Sequence, residues 1–288
     1  MHAEKKASIR HILAVLLTAV MIIGLVPAAL FQVKLSFAAP VAANPGDIRD
    51  VNTIGAGNNW NITQGGTYTL RGATNFNSWV TVNTASPVTI VLDSASITNA
   101  LQSPIQLGAN ANVTLDVRGI NTLACVGTTN TLLAGIYVPS TATLTIVGDG
   151  TLRTLGNSVN AGNGNPPDVY GGAGIGGSTS GSINAGTINI SSDDVTVYAI
   201  ANTSHSVSVS AAGVGGGIGG SGGNINISGG VVLATSNGAG AAIGGGGGLS
   251  VAAGGGGNIT ISGGYVDAIS ALGAAIGGGF NASNGGNA

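Results

Sequence analysis

Gly223-Asn224-Ile225-Asn226-Ile227-Ser228-Gly229-Gly230 is answered by Gly257-Asn258-Ile259-Thr260-Ile261-Ser262-Gly263-Gly264, and more loosely by Gly186-Thr187-Ile188-Asn189-Ile190-Ser191. Within each phrase polar and apolar residues alternate, which is the period-2 signature of a strand with one buried face. The closing glycine pair suits a tight turn, where φ > 0 is cheap only for glycine. Two other phrases keep step. One reads Gly172-Ala173-Gly174-Ile175-Gly176, Gly216-Gly217-Ile218-Gly219, Ala241-Ala242-Ile243-Gly244 and Ala274-Ala275-Ile276-Gly277. The other reads Val195-Thr196-Val197-Tyr198-Ala199, Val231-Val232-Leu233-Ala234 and Tyr265-Val266-Asp267-Ala268.

Working upstream, the same three-part sentence recurs with fewer glycines. Ile136, Thr143 to Val147 and Thr151-Leu152 form one version; Ile105 to Leu107, Val113 to Val117 and Ile120 to Leu123 form another; Val88 to Leu92 and Ile97 keep the cadence. The middle phrase advances from Leu115 to Ile146, Ile190, Ile227 and Ile261, in steps of 31, 44, 37 and 34 residues. Such repetition marks a solenoid, in which no unit can bury its own inner face and stability comes from stacked neighbours. The expected fold is all-β, a right-handed parallel β-helix (solenoid) with three short strands per coil. Ile175, Ile218, Ile243 and Ile276 should form one internal ladder, and Ile190, Ile227 and Ile261 another. Asn224 and Asn258 should stack as an amide ladder. Collagen is excluded by only eight prolines and no strict third-position glycine. Calcium-binding nonapeptide rolls need an aspartate in each repeat, an antiparallel sandwich would show hairpin signals, and an α/β solenoid would show a 3.6 period.

The expected organisation is a signal peptide over 1–39, with cleavage near 38–43, a strand region and cap over 40–87, and glycine-rich repeats over 88–288. Lys5, Lys6 and Arg10 precede an apolar run from Ile12 to Phe31 and a small-residue site at Ser36 and Ala38, the pattern of export. Asn284 to Ala288 reads as another repeat broken off, so the chain is expected to be truncated and open to end-to-end self-association.

Charge narrows the function. After Ala39 there are four arginines, nine aspartates and no lysine or glutamate, a formal charge of −5. No basic patch exists to neutralise phosphates, so nucleic acid is not an expected partner. The membrane enters only through the signal segment. Cys125 is the sole cysteine, so no internal disulfide forms, and its apolar surroundings point to a buried hydrophobe. His205 is the one histidine beyond the leader, which leaves no histidine metal site, and no cofactor is expected.

The run from Thr89 to Gly279, through Gly119-Ile120-Asn121-Thr122-Leu123, Ala134-Gly135-Ile136 and Thr143 to Leu152, resembles a family of secreted and surface proteins of Gram-positive bacteria. They are usually labelled carbohydrate-binding-domain or β-strand-repeat proteins. The resemblance implies a parallel β-helix, carbohydrate binding and no catalytic residues to carry over.

The leading expectation is a secreted or cell-surface, non-catalytic, carbohydrate-binding or adhesive module whose partner is a polysaccharide or glycan. The alternatives are a structural spacer of a larger surface protein and a polysaccharide-degrading enzyme. Glycoside hydrolysis needs two facing carboxyl groups, and the aspartates are scattered apart from Asp193-Asp194. A flat crystal-binding face is suggested by Thr141-Ala142-Thr143-Leu144-Thr145 but needs Thr-x-Thr in every coil, which Asn224-Ile225-Asn226 does not supply. Candidate ligand-binding residues are Asn165, Asp168 and Tyr170 in a polar insertion, and Trp60 and Trp79. The tryptophans could serve as a sugar platform or as a hydrophobic cap on the first coil.

Overall fold

The computed structural model describes residues 41–55, 57–74, 77–127, 133–160, 169–178, 183–201, 209–248 and 252–280. The expected leader over 1–39 lies outside them. From residue 38 onward the chain is one compact unit. It is all-β and built on parallel pairing. A nine-stranded sheet takes in Asn59–Ile62, Trp79–Val82, Ile105–Leu107, Ile136–Tyr137, Ile175–Gly176, Val214–Gly215, Ile243–Gly244 and Ile276–Gly277 in order, after Val41–Ala42.

A thirteen-stranded sheet has two flanks that meet at the long strand Val88–Asn99. Residues 88–93 of that strand pair with Asn112–Arg118, and 96–99 pair with Ile120–Cys125. The first flank then continues through Thr143–Gly148, Thr187–Ile190, Asn224–Ile227 and Asn258–Ile261. The second continues through Thr151–Leu155, Thr196–Ala201, Val231–Ser236 and Tyr265–Ser270. Each passage along the chain therefore lays one strand on the nine-stranded sheet and one on each flank. A small third sheet, Ser158–Asn160, Val169–Gly171 and Val209–Ser210, lies off this path and contains an antiparallel strand pair.

The sequence steps are the pairing register. Leu115, Ile146, Ile190, Ile227 and Ile261 are successive Cα partners. Their side chains face inward with Ile90, and all but Ile261 are fully buried. One expected ladder needs correction. Ile175 pairs with Val214, and Val214 with Ile243, so Ile218 is not a rung. The phrase equivalent to Ala173-Gly174-Ile175-Gly176 is Ala212-Gly213-Val214-Gly215; the Gly-Gly-Ile-Gly likeness matched the wrong segment. Ile218 instead packs outside the main core, against Ala134, Ala173 and Ala211. The strands of 41–82 pair into the same sheets, so the stack begins well before residue 88.

Corners are held by positive-φ residues and buried amides. Gly72, Ser94 and Gly119 take φ values of 84°, 55° and 64° where the two flanks meet. The pairing register slips there between Arg71 and Gly72. Asn121 is fully buried beside them and engages both ends of its amide: Oδ1 accepts from Ala95 N (2.7 Å) and Nδ2 donates to Arg118 O (2.9 Å). Asn99 works likewise, donating to Ser78 O (2.9 Å) and accepting from Leu101 N (2.8 Å). A buried backbone group left unpaired costs about 1–3 kcal/mol, so these side chains stabilise bends that strand pairing cannot satisfy.

Near the start of the stack Val51, Ile54, Trp60 and Tyr68 are buried in the core, and Trp60 and Tyr68 meet edge to face at 5.7 Å. At the last described circuit the core is uncovered. Ile261 and Ile276 are 41% and 45% exposed, whereas Ile227 and Ile243, their counterparts one circuit earlier, are fully buried.

Gly176, Gly215, Gly244 and Gly277 form one column with φ between 132° and 140°. A Cβ on Gly215 would press into the carbonyl oxygen of Gly244. Gly215→Ala should therefore destabilise by about 3 kcal/mol or more in urea unfolding. Gly255→Ala, with open space around its Cβ, should stay within about 0.5 kcal/mol. Equal costs would contradict this packing. Cys125 is buried and its thiol donates to Ala134 O at 3.2 Å; burial pushes the thiol far above its ordinary range. A thiol reagent at pH 8 should leave it untouched until denaturant is added, and rapid labelling of native protein would show the site to be open.

Candidate functional site

On the nine-stranded sheet, residues between inward-facing partners point outward. One outward column runs Asn61, Thr81, Gln106 and Tyr137 in direct register. Beside it Asn59 is the partner of Trp79. All six are half-buried. With strands about 4.8 Å apart, the four-residue column spans roughly 14 Å. Short cross-strand bonds fix its polar members: Thr81 Oγ1 donates to Asn59 Oδ1 (3.0 Å), and Asn83 Nδ2 donates to Asn61 Oδ1 (2.8 Å). Gln106 Nε2 donates to Gln102 Oε1 at 2.9 Å. Beyond Tyr137 the column continues as Gly176, Gly215, Gly244 and Gly277, so its side-chain chemistry stops there.

This face carries Trp79 and Tyr137 with the Gln106 amide on the strand between them. Asn59 and Asn61 lie on the other side of Trp79, and Tyr137 packs against the cluster of Ala134, Ala173 and Ala211. An aromatic face stacks on the apolar face of a sugar ring, and amides both donate to and accept from sugar hydroxyls. Asn59, Asn61, Thr81, Gln106 and Tyr137 were not anticipated. Their signal was present, since Gln106 stands between Ile105 and Leu107 and Tyr137 between Ile136 and Val138, the outward slots of alternating phrases.

The expected site residues divide. Trp79 lies on this face. Trp60 does not: it is fully buried, with the Arg49 guanidinium 5.6 Å from its ring centroid. It is one pleat position out of phase with Trp79 (its partner is Val80), so its ring fills the first circuit and offers no face to a ligand. Asn165 and Asp168 lie outside the described residues, as does His205. Tyr170 is described as backbone, in a strand paired with Val159 and Val209.

Among the described residues, Asp93, Asp116 and Asp267 lie on strands of the thirteen-stranded sheet, not on this one. Asp116 is bound by Arg118, with N to O at 2.6 Å, and that hydrogen bond raises the guanidinium pKa further. Asp193 and Asp194 sit exposed in a turn, and among the described residues no group of three His, Cys, Asp or Glu could hold a metal.

No curated protein and no solved structure matches the chain. A family model does, over residues 56–165, and its description is a carbohydrate-binding domain-containing protein. That match supports a carbohydrate-binding role, and it spans the strands that bear Asn59, Trp79, Thr81, Gln106 and Tyr137.

Proposed function

We infer that the chain is a secreted, non-catalytic module that binds a glycan through the outer face of its nine-stranded sheet. The observation that carries this is a coincidence of position. Outward side chains on the Asn61 column end at Tyr137, inside the segment that matches the carbohydrate-binding family, and give way to glycine beyond it.

The scaffold is read as a right-handed parallel β-helix of three strands per coil. Parallel strands need a crossover between partners, and crossovers of this kind are right-handed in about 98% of cases. A rigid stack suits the task, because a platform fixed by cross-coil hydrogen bonds loses little conformational freedom on binding. Export follows from the basic, apolar and small-residue order of the first 39 residues. Binding rather than cleavage is favoured because Asp116 is already engaged by Arg118, with Asp149 and Asp93 close enough to act on the same guanidinium.

The test is a broad glycan array, including bacterial wall and host mucin sugars, probed with the intact protein and three variants. A hit should weaken by about tenfold or more in Trp79→Ala, equivalent to 1.4 kcal/mol, and by a smaller factor in Gln106→Ala. A hit unaffected by these changes but lost with Tyr170→Ala would move the site to the polar insertion. Silence across the array from protein with a β-rich circular dichroism spectrum would overturn the binder and favour the spacer.

A further inference from the structure

Two neighbouring outward columns of the first flank are uniform in their chemistry. Thr67, Thr89, Thr114, Thr145, Asn189, Asn226 and Thr260 follow one another in unbroken register. A second column, two residues earlier, runs Asn112, Thr143, Thr187, Asn224 and Asn258. All twelve are half or fully exposed. They form a flat lattice with rungs about 4.8 Å apart along the stack and columns roughly 6.6 Å apart across it.

Uniformity is not a by-product of the fold. The equivalent column on the second flank reads Thr122, Arg153, Tyr198, Leu233 and Asp267. The third column of the first flank reads Thr69, Val91, Asp116 and Val147. A merely solvated sheet face usually carries charges, which keep it soluble and block pairing. Here every one of the twelve positions is a neutral hydroxyl or amide. Sequence comparison hides this, because threonine and asparagine exchange from rung to rung and no Thr-x-Thr motif persists.

The amides are already ordered. Asn189 Nδ2 donates to Thr145 Oγ1 (3.2 Å), Asn226 Nδ2 to Asn189 Oδ1 (2.9 Å) and Asn258 Nδ2 to Asn224 Oδ1 (2.9 Å). An interior amide such as Asn189 thus commits one N–H and one acceptor site to its neighbours and keeps one of each for an outside partner. Sugar hydroxyls have the same dual character. A single neutral hydrogen bond made against water contributes little, so one sugar would be held weakly. A surface that meets many rungs at once gains by multivalency.

We propose that this lattice adsorbs the ordered surface of an uncharged, insoluble polysaccharide, as a second face distinct from the Trp79 platform. The proposal rests on the carbohydrate-binding reading and names its substrate class. Adsorption isotherms of the intact protein on microcrystalline cellulose and on chitin test it, beside binding of soluble oligosaccharides and partition into growing ice. The double variant Thr145→Lys with Asn226→Lys, checked for folding by circular dichroism, should lose about tenfold or more in adsorption. Asn226→Thr, which repeats the Thr260 rung, should stay within about twofold.

Trp79→Ala should keep more adsorption than the double lysine variant does. Parent-like adsorption by the folded double lysine variant would overturn the proposal, as would ice partition without polysaccharide adsorption, or loss of adsorption only in Trp79→Ala. If soluble sugar still binds through Trp79 while the lattice variants adsorb normally, the lattice inference alone falls. If neither soluble nor insoluble sugar is held, both readings fall.

Discussion

Everything in this structure depends on one stacking relation: each circuit places its inward aliphatic residue directly over that of the circuit before. Leu115, Ile146, Ile190 and Ile227 are fully buried because each covers the next. No strand could do this alone, since its inward face is buried only by stacked neighbours. Burying one such side chain contributes about 1.5–3 kcal/mol, and parallel hydrogen bonding between circuits holds the register in which that burial is possible. A slip of one residue would turn every rung outward.

The relation imposes costs at the corners. Strand pairing stops where the backbone bends, and the bends must satisfy their own polar groups. Two solutions appear along the chain. In the first half, buried asparagines such as Asn99 and Asn121 supply side-chain partners. In the second half, glycines come so close to neighbouring backbone that no Cβ would fit, as Gly215 does against Gly244. Glycine is entropically unfavourable to order, and the close backbone packing it permits offsets that cost.

The interior is committed to stacking, and on the outside each face carries its own chemistry. The nine-stranded sheet bears Trp79, Tyr137 and amides early and glycine later. The first flank is a threonine and asparagine lattice. The second flank is mixed, with Arg153 over the Tyr198 ring at 5.4 Å. Scaffold and surface are therefore separable, and outward positions can vary without disturbing the core.

The amino-acid sequence by itself determined the alternation of strands, the parallel all-β architecture and the register of the middle phrase, because period-2 burial and repeat spacing are local signals. The expected Asn224–Asn258 ladder follows from the same spacing. Tertiary structure decided what depends on which circuit covers which. It put Val214 rather than Ile218 into the core ladder, since two glycine-rich segments four residues apart look alike and only one can reach the strand above. It buried Trp60 and turned Trp79 outward, a difference of pleat phase that composition does not reveal. It also gathered Asn59, Thr81, Gln106 and Tyr137 onto one face, although they come from four strands far apart in the chain. Side chains become neighbours across circuits only when hydrogen bonds fix the stack, and that juxtaposition is a property of the fold rather than of any one phrase.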